Sequence, residues 1–207
     1  MRYRMAAPMR PNRMNHARGG NSMRKYLFLH CVAAFLSVGV LAAPALSQMG
    51  GQDKSKRPSP PAKAECKLAG GKSITVDYSS PRMKGRKIYG GLVPFGEVWR
   101  AGANEATTFV TTTDLTVGGK PVPAGSYTIF AIPNQDKWWL VISKKTGEWG
   151  TDYPGEANDL ARVDMKVSQL PSAVENFTIA FDQTGGGCTL RMDWETTRAS
   201  AEISPKK

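Results

Sequence analysis

The sequence predicts an all-β domain built as an antiparallel β-sandwich, with a partly closed β-barrel as the alternative. Three features predict it. Apolar residues recur at every second position, the period of a pleated strand and not the 3.6 of a helix. Turns containing glycine, proline or asparagine interrupt the apolar runs at short intervals. Only GEANDLAR, residues 155–162, carries the spacing of a helical turn.

Taken along the chain, DLTVGGKPVPAGSY predicts a short hairpin around Gly118 and Gly119, closed by a Pro-Ala-Gly turn. SYTIFAI (126–132) and KWWLVIS (137–143) are apolar on both faces, as strands covered on each side would be, and the PNQD turn joins them. Val163, Met165 and Val167 alternate with Arg162, Asp164 and Lys166. Phe177, Ile179 and Phe181 alternate with Thr178 and Ala180; after a glycine turn, Cys188, Leu190, Met192 and Trp194 alternate with Thr189, Arg191 and Asp193. That pattern is a hairpin with one buried and one wetter face. No internal repeat marks a solenoid or propeller.

Composition shifts give the boundaries. Residues 1–47 have a basic start, the apolar run YLFLHCVAAFLSVGVLA and small residues in APALSQ, the three parts of an export signal. Cleavage is expected after Ala45 or Ser47, and Met23 before Arg24 and Lys25 is an equally good start. The run is shorter than the roughly 20 apolar residues of a spanning helix, so the membrane enters only through this signal and the mature protein is expected to be periplasmic or secreted. Residues 48–63 are poor in apolar side chains and predict a flexible linker. Residues 64–196 form the globular domain, and 197–207 a tail.

The net charge of +11 belongs mostly to the leader. Its seven Lys and Arg taken from the total of 28 leave 21 basic against 17 acidic residues, a net +4. Such a surface does not call for nucleic acid. AGGKS (69–73) lacks the earlier glycine of a phosphate-binding loop, because Cys66 stands there.

Both histidines, His16 and His30, also lie in the leader. The mature chain therefore has no imidazole for a Ser-His-Asp triad, a Cys-His dyad or a histidine zinc site. The calcium-loop order is missing around Asp152, Glu156 and Asp159, so no metal and no cofactor is expected. Cys66 and Cys188 remain as an even pair after export, either bridged or as two buried thiols.

SPRMKGRKIYGGLVPFGEVWRAGANEATTF, GGKPVPAGSYTIFAIPNQDKWWLVIS, YPGEANDLARVDMKV and ENFTIAF with LRMDWE, in that order, resemble the bacterial domain of unknown function 2911 family. The likeness covers residues 74–195, with VWRAGANEAT its most specific piece. It implies an exported or envelope-associated β-rich domain and supplies no reaction.

Candidate chemistry centres on that piece. Arg100 offers a planar fork for a carboxylate, phosphate or hydroxyl pair, Asn104 a donor and an acceptor, and Glu105 an acceptor, beside the ring of Trp99. Arg82, with Ser79, Ser80 and Arg86, would extend an anion site; the structural reading makes Arg100 and Glu105 a scaffold ion pair, Trp99 core, and SSPRMKGR a solvated turn. Trp138 and Trp139 must face opposite ways, and Trp149, Tyr153 and Tyr89 near glycine turns suit either a sugar groove or packing. Acid-base work would fall to Glu97, Glu105, Asp152, Glu156, Asp159 or Glu195, and glycoside hydrolysis would need two of them facing each other. The expectation is a non-catalytic exported module binding a small polar or anionic ligand, or a saccharide, through Arg82, Trp99, Arg100, Asn104 and Glu105. A carboxylate-based glycan hydrolase and a purely structural envelope module are the alternatives.

Overall fold

The computed structural model describes residues 53–150 and 152–206. The expected export signal and its cleavage sites lie outside the described residues. The described residues form nine strands: β1 (Pro61–Lys67), β2 (Ser73–Ser79), β3 (Thr107–Thr111), β4 (Leu115–Val117), β5 (Lys120–Val122), β6 (Gly125–Ile132), β7 (Trp138–Ser143), β8 (Asp159–Gln183) and β9 (Cys188–Pro205). The domain is all-β, as expected. Residues 155–162 give a single 3-10 turn at Glu156–Asn158, after which β8 begins at once.

The strands pair antiparallel in the order β1-β2-β3-β6-β7-β8-β9-β4-β5, without closing into a barrel. The sheet is compatible with a sandwich because β8 and β9 turn a corner. The first part of β8 pairs with β7, from Asp159 to Met165, and the rest pairs with β9. Register shifts between Gln169 and Val174 and between Val174 and Thr178 bend the ribbon there, because the extra residues of β8 have no partner on β9 and increase the local twist. Glu195, opposite Val174, takes a φ of 53° at the same corner. Two sequence runs that read as separate strands, 163–167 and 177–181, are thus one bent strand.

The strands carry the folded region past both expected boundaries. β1 begins at Pro61 inside the expected linker, and β9 continues through the expected tail to Pro205. Upstream of β1, Lys54–Lys56 forms a 3-10 turn capped by Asp53.

One continuous core runs through the domain. Ile74, Val76, Phe109, Ile129, Leu140, Ile142, Phe177, Leu190 and Trp194 are all buried in it. Phe130, Ile132 and Val141 form a second cluster on the other face of β6 and β7, covered by Val98, Trp139 and Tyr153. Two covered faces explain why these strands lack polar alternation. Cys66 on β1 and Cys188 at the start of β9 are joined by a disulfide, with Cα atoms 6.5 Å apart, which ties the sheet's edge strand to the far half.

Candidate functional site

The stretch VWRAGANEAT turns a corner between the sheet and the loop before β3. Trp99 pairs its backbone with Ala131 on β6, donating to and accepting from it at 2.8 Å each. Its ring enters the core, 4.8 Å from Phe177, 5.9 Å from Trp194 and 6.4 Å from Tyr89, and its indole N–H donates to the Gly102 carbonyl at 3.1 Å. Ala101 and Asn104 sit at φ of 48° and 57°, a region that a residue with a Cβ enters at a cost. A Cβ on Gly102 would lie 3.0 Å from both the Ser79 carbonyl and the Thr107 hydroxyl. The corner is packed from both sides.

Its polar residues face different neighbours. Asn104 donates to the Ser59 carbonyl at 3.0 Å, and its own carbonyl accepts from the Gly150 N–H at 3.1 Å. Glu105 does not pair with Arg100; it accepts from Lys54 at 2.9 Å and from Arg57 at 3.0 Å on each carboxylate oxygen. Lys54, its own backbone N–H and Arg57 together hold its carboxyl well below the ordinary 4.5, at about 2. Asn104 and Glu105 therefore bind the segment ahead of β1. Arg82 donates to the Ser80 hydroxyl at 2.9 Å, and Arg86 returns to the Met83 and Arg82 carbonyls. Arg100 is half-buried, its Nε has no partner among the described residues, and burial lowers its pKa.

A depressed carboxyl has a sign that can be tested. The folded pKa of Glu105 lies below the unfolded one, so its contribution is full above about pH 4.5 and is lost as pH falls towards 2. Glu105→Gln is expected to lower stability at neutral pH and to flatten this acid limb. Melting temperatures of both proteins against pH check it; parallel profiles would mean that the Lys54 and Arg57 contacts do not persist in solution.

Most of the remaining candidate carboxylates are paired with arginines or exposed. Glu148 accepts from the Thr128 hydroxyl at 2.9 Å on one oxygen and buries the other without a partner among the described residues. Arg162 gathers Glu156 at 2.9 Å and Asp159 at 2.7 Å, and the Tyr153 hydroxyl donates to Asp159 at 2.8 Å. Asp193 is buried between Arg191 and Arg198. Glu97 and Asp152 are exposed.

A cavity of about 310 Å³ opens elsewhere, where the β8–β9 ribbon bends away from the β6–β7 turn. Its walls are Tyr89 and Phe95 from the loop after β2, Asn134, Gln135 and Asp136 from the turn, Trp138 from β7, Val167, Ser168 and Gln169 from β8, and Thr197 from β9. The loop is pinned by the Gly96 N–H donating to the Pro133 carbonyl at 2.8 Å and by Tyr89 wedged 4.7 Å from Trp138. Tyr89 is 6% exposed and its hydroxyl has no hydrogen-bond partner among the described residues. Burial first, then the Glu195 and Asp193 carboxylates, raise its pKa, so the phenol keeps its proton.

Of the residues singled out from sequence, Tyr89 and Trp138 line this cavity, while Arg82, Trp99, Arg100, Asn104 and Glu105 do not. Phe95, the PNQD side chains, Ser168, Gln169 and Thr197 were not candidates. Phe95 alone carried a signal: a phenylalanine between Pro94 and Gly96 belongs to no alternating run.

A family model described as "Protein of unknown function (DUF2911)" matches residues 59–203. No curated protein and no solved structure matches the chain.

Proposed function

The chain belongs to this DUF2911 family, and we propose that it is an exported binding module whose cavity takes a neutral, polyhydroxylated ligand of the saccharide class. The observation that carries the reading is a cavity of ligand size lined by side-chain amides, hydroxyls and Phe95, with the Tyr89 hydroxyl buried behind that wall and without a partner among the described residues. A buried hydroxyl left unpaired costs about 1–3 kcal/mol, and a small shift of the Tyr89 side chain towards a bound ligand would let a ligand hydroxyl pair with it and remove that cost.

The rest of the lining supports the same chemistry. Asn134, Gln135 and Gln169 each offer a donor and an acceptor, Ser168 and Thr197 add hydroxyls, and the exposed ring of Phe95 suits the apolar face of a pyranose. No Lys or Arg lines the cavity, whereas Asp136 does. A neutral ligand is therefore favoured over the anionic one expected from Arg100. Hydrolysis through two carboxylates facing across a glycosidic bond is not favoured, because Asp136 is the one carboxylate in the lining. Export is supported by the Cys66–Cys188 pairing, which suits an oxidising compartment.

Tyr89→Phe separates binding from packing, since it removes one oxygen and keeps the ring. Saccharide affinity is expected to fall about 5- to 30-fold, the loss of a hydrogen bond worth ~1–2 kcal/mol in a dry site. Stability is expected to stay level or rise by up to ~1 kcal/mol, because an unpaired buried hydroxyl is removed. Calorimetric titration with neutral mono- and oligosaccharides, beside denaturant unfolding, measures both. Equal affinity in the two proteins, or no binding by the wild type, would sink the reading.

A further inference from the structure

The cavity does not end at the β6–β7 turn. On the other side of the same turn lies a hollow of about 470 Å³, lined by Phe95, Asn134, Gln135 and Asp136 again, together with Lys137 and Trp139. Adjacent residues on a strand point to opposite faces. β7 thus turns Trp138 into the core beneath the first hollow and leaves Trp139 partly exposed in the second. The two hollows meet over the tip of the hairpin.

Resting on the saccharide reading above, we infer that these hollows are adjacent subsites of one groove, and that the ligand is a linear oligosaccharide of at least two rings straddling the Asn134–Asp136 turn. Three features support this. Phe95, 37% exposed, lies against both hollows and is held there by the Gly96 to Pro133 hydrogen bond at 2.8 Å. The Asn134 and Gln135 amides border both and so stand where a glycosidic linkage and its neighbouring hydroxyls would cross. In the second hollow, Lys137 lies 5.1 Å over the Trp139 ring and 3.2 Å from Asp164, which places an ammonium donor at that end of the groove. A single ring would fill only one of the two hollows.

The test is the dependence of affinity on chain length. The full chain is titrated calorimetrically with β-1,4-linked glucose and N-acetylglucosamine oligomers of increasing length. Affinity for the preferred series is expected to rise about tenfold from one ring to two, one further aromatic contact and its hydrogen bonds, and then level off. Trp139→Leu keeps an apolar side chain against the Phe130–Val141 cluster but removes the ring; it is expected to abolish the rise while leaving monosaccharide affinity within about twofold. Tyr89→Phe, by contrast, should weaken every length alike. Phe95→Ala, at an exposed position, provides a second variant that does not depend on core packing and should lower affinity for two rings more than for one. Binding that is independent of length in the wild type overturns the groove and leaves the first cavity standing. No binding at any length overturns both.

Discussion

Trp99→Ala is expected to cost about 3–5 kcal/mol of folding stability, the range for deleting a large buried aromatic, and to do so without Trp99 touching a ligand. The ring is 9% exposed and stands among Phe177, Trp194 and Tyr89. Its removal leaves a cavity beneath the corner and strips the Gly102 carbonyl of its indole donor. Close packing at Gly102 against Ser79 and Thr107 limits how far that corner can collapse. Trp99→Phe restores most of the volume but not the donor, so a smaller loss of about 1–2 kcal/mol is expected. Chemical denaturation that shifts the midpoint at constant slope measures both variants. Because Tyr89 packs on Trp99, affinity should also drop modestly in the alanine variant. The opposite pattern, near-native stability with binding abolished, would restore Trp99 to the ligand site that its residue block advertises.

That block shows why chemistry is less legible than fold. Tryptophan, arginine, asparagine and glutamate within seven residues look like a site, but composition does not say which way a side chain turns. Val98 and Trp99 face different clusters because the segment pairs with β6 as a strand does. Beyond it, Ala101 and Asn104 at positive φ send the polar side chains away from one another. The strands that were legible are those whose buried positions hold large side chains, such as Phe177, Ile179, Leu190 and Trp194. β1, β2 and β3 were not among them. β1 has small buried positions, Ala64 and Cys66, between exposed lysines and a glutamate, the dress of an edge strand, whereas the alternation of Ile74, Val76 and Tyr78 in β2 and around Phe109 in β3 was present in the sequence and was overlooked. The cavity was hidden for another reason. Gln169 and Thr197 join the PNQD turn where the ribbon bends at its register shifts, and in the sequence the interrupted alternation there reads as a break between two strands, with no sign of which way the chain bends.

Loss of the Cys66–Cys188 bridge is the second large effect expected. The bond spans 122 residues, nearly the whole folded chain, and in the chain-entropy model a loop of that size stabilises the native state by about 4–5 kcal/mol. The prediction is for the Cys66→Ala, Cys188→Ala double variant, since both residues are fully buried and a reductant reaches them only through opening. Part of the attachment survives the substitution: the Gln183 side-chain amide donates to the Lys67 carbonyl at 2.9 Å, beside the bridge. Opening is therefore expected to start locally, with faster amide exchange along β1 and the β8–β9 tip before the core responds. Nearby Gly187 shows how closely that tip is seated, as a Cβ there would run into the Ile203 carbonyl. Guanidinium unfolding with and without dithiothreitol supplies the control. The wild type should lose stability under reductant, and the double variant should not respond to it. If the variant unfolds within about 1 kcal/mol of the oxidised wild type, the two strands are held by packing alone and the bridge no longer supports an oxidising compartment.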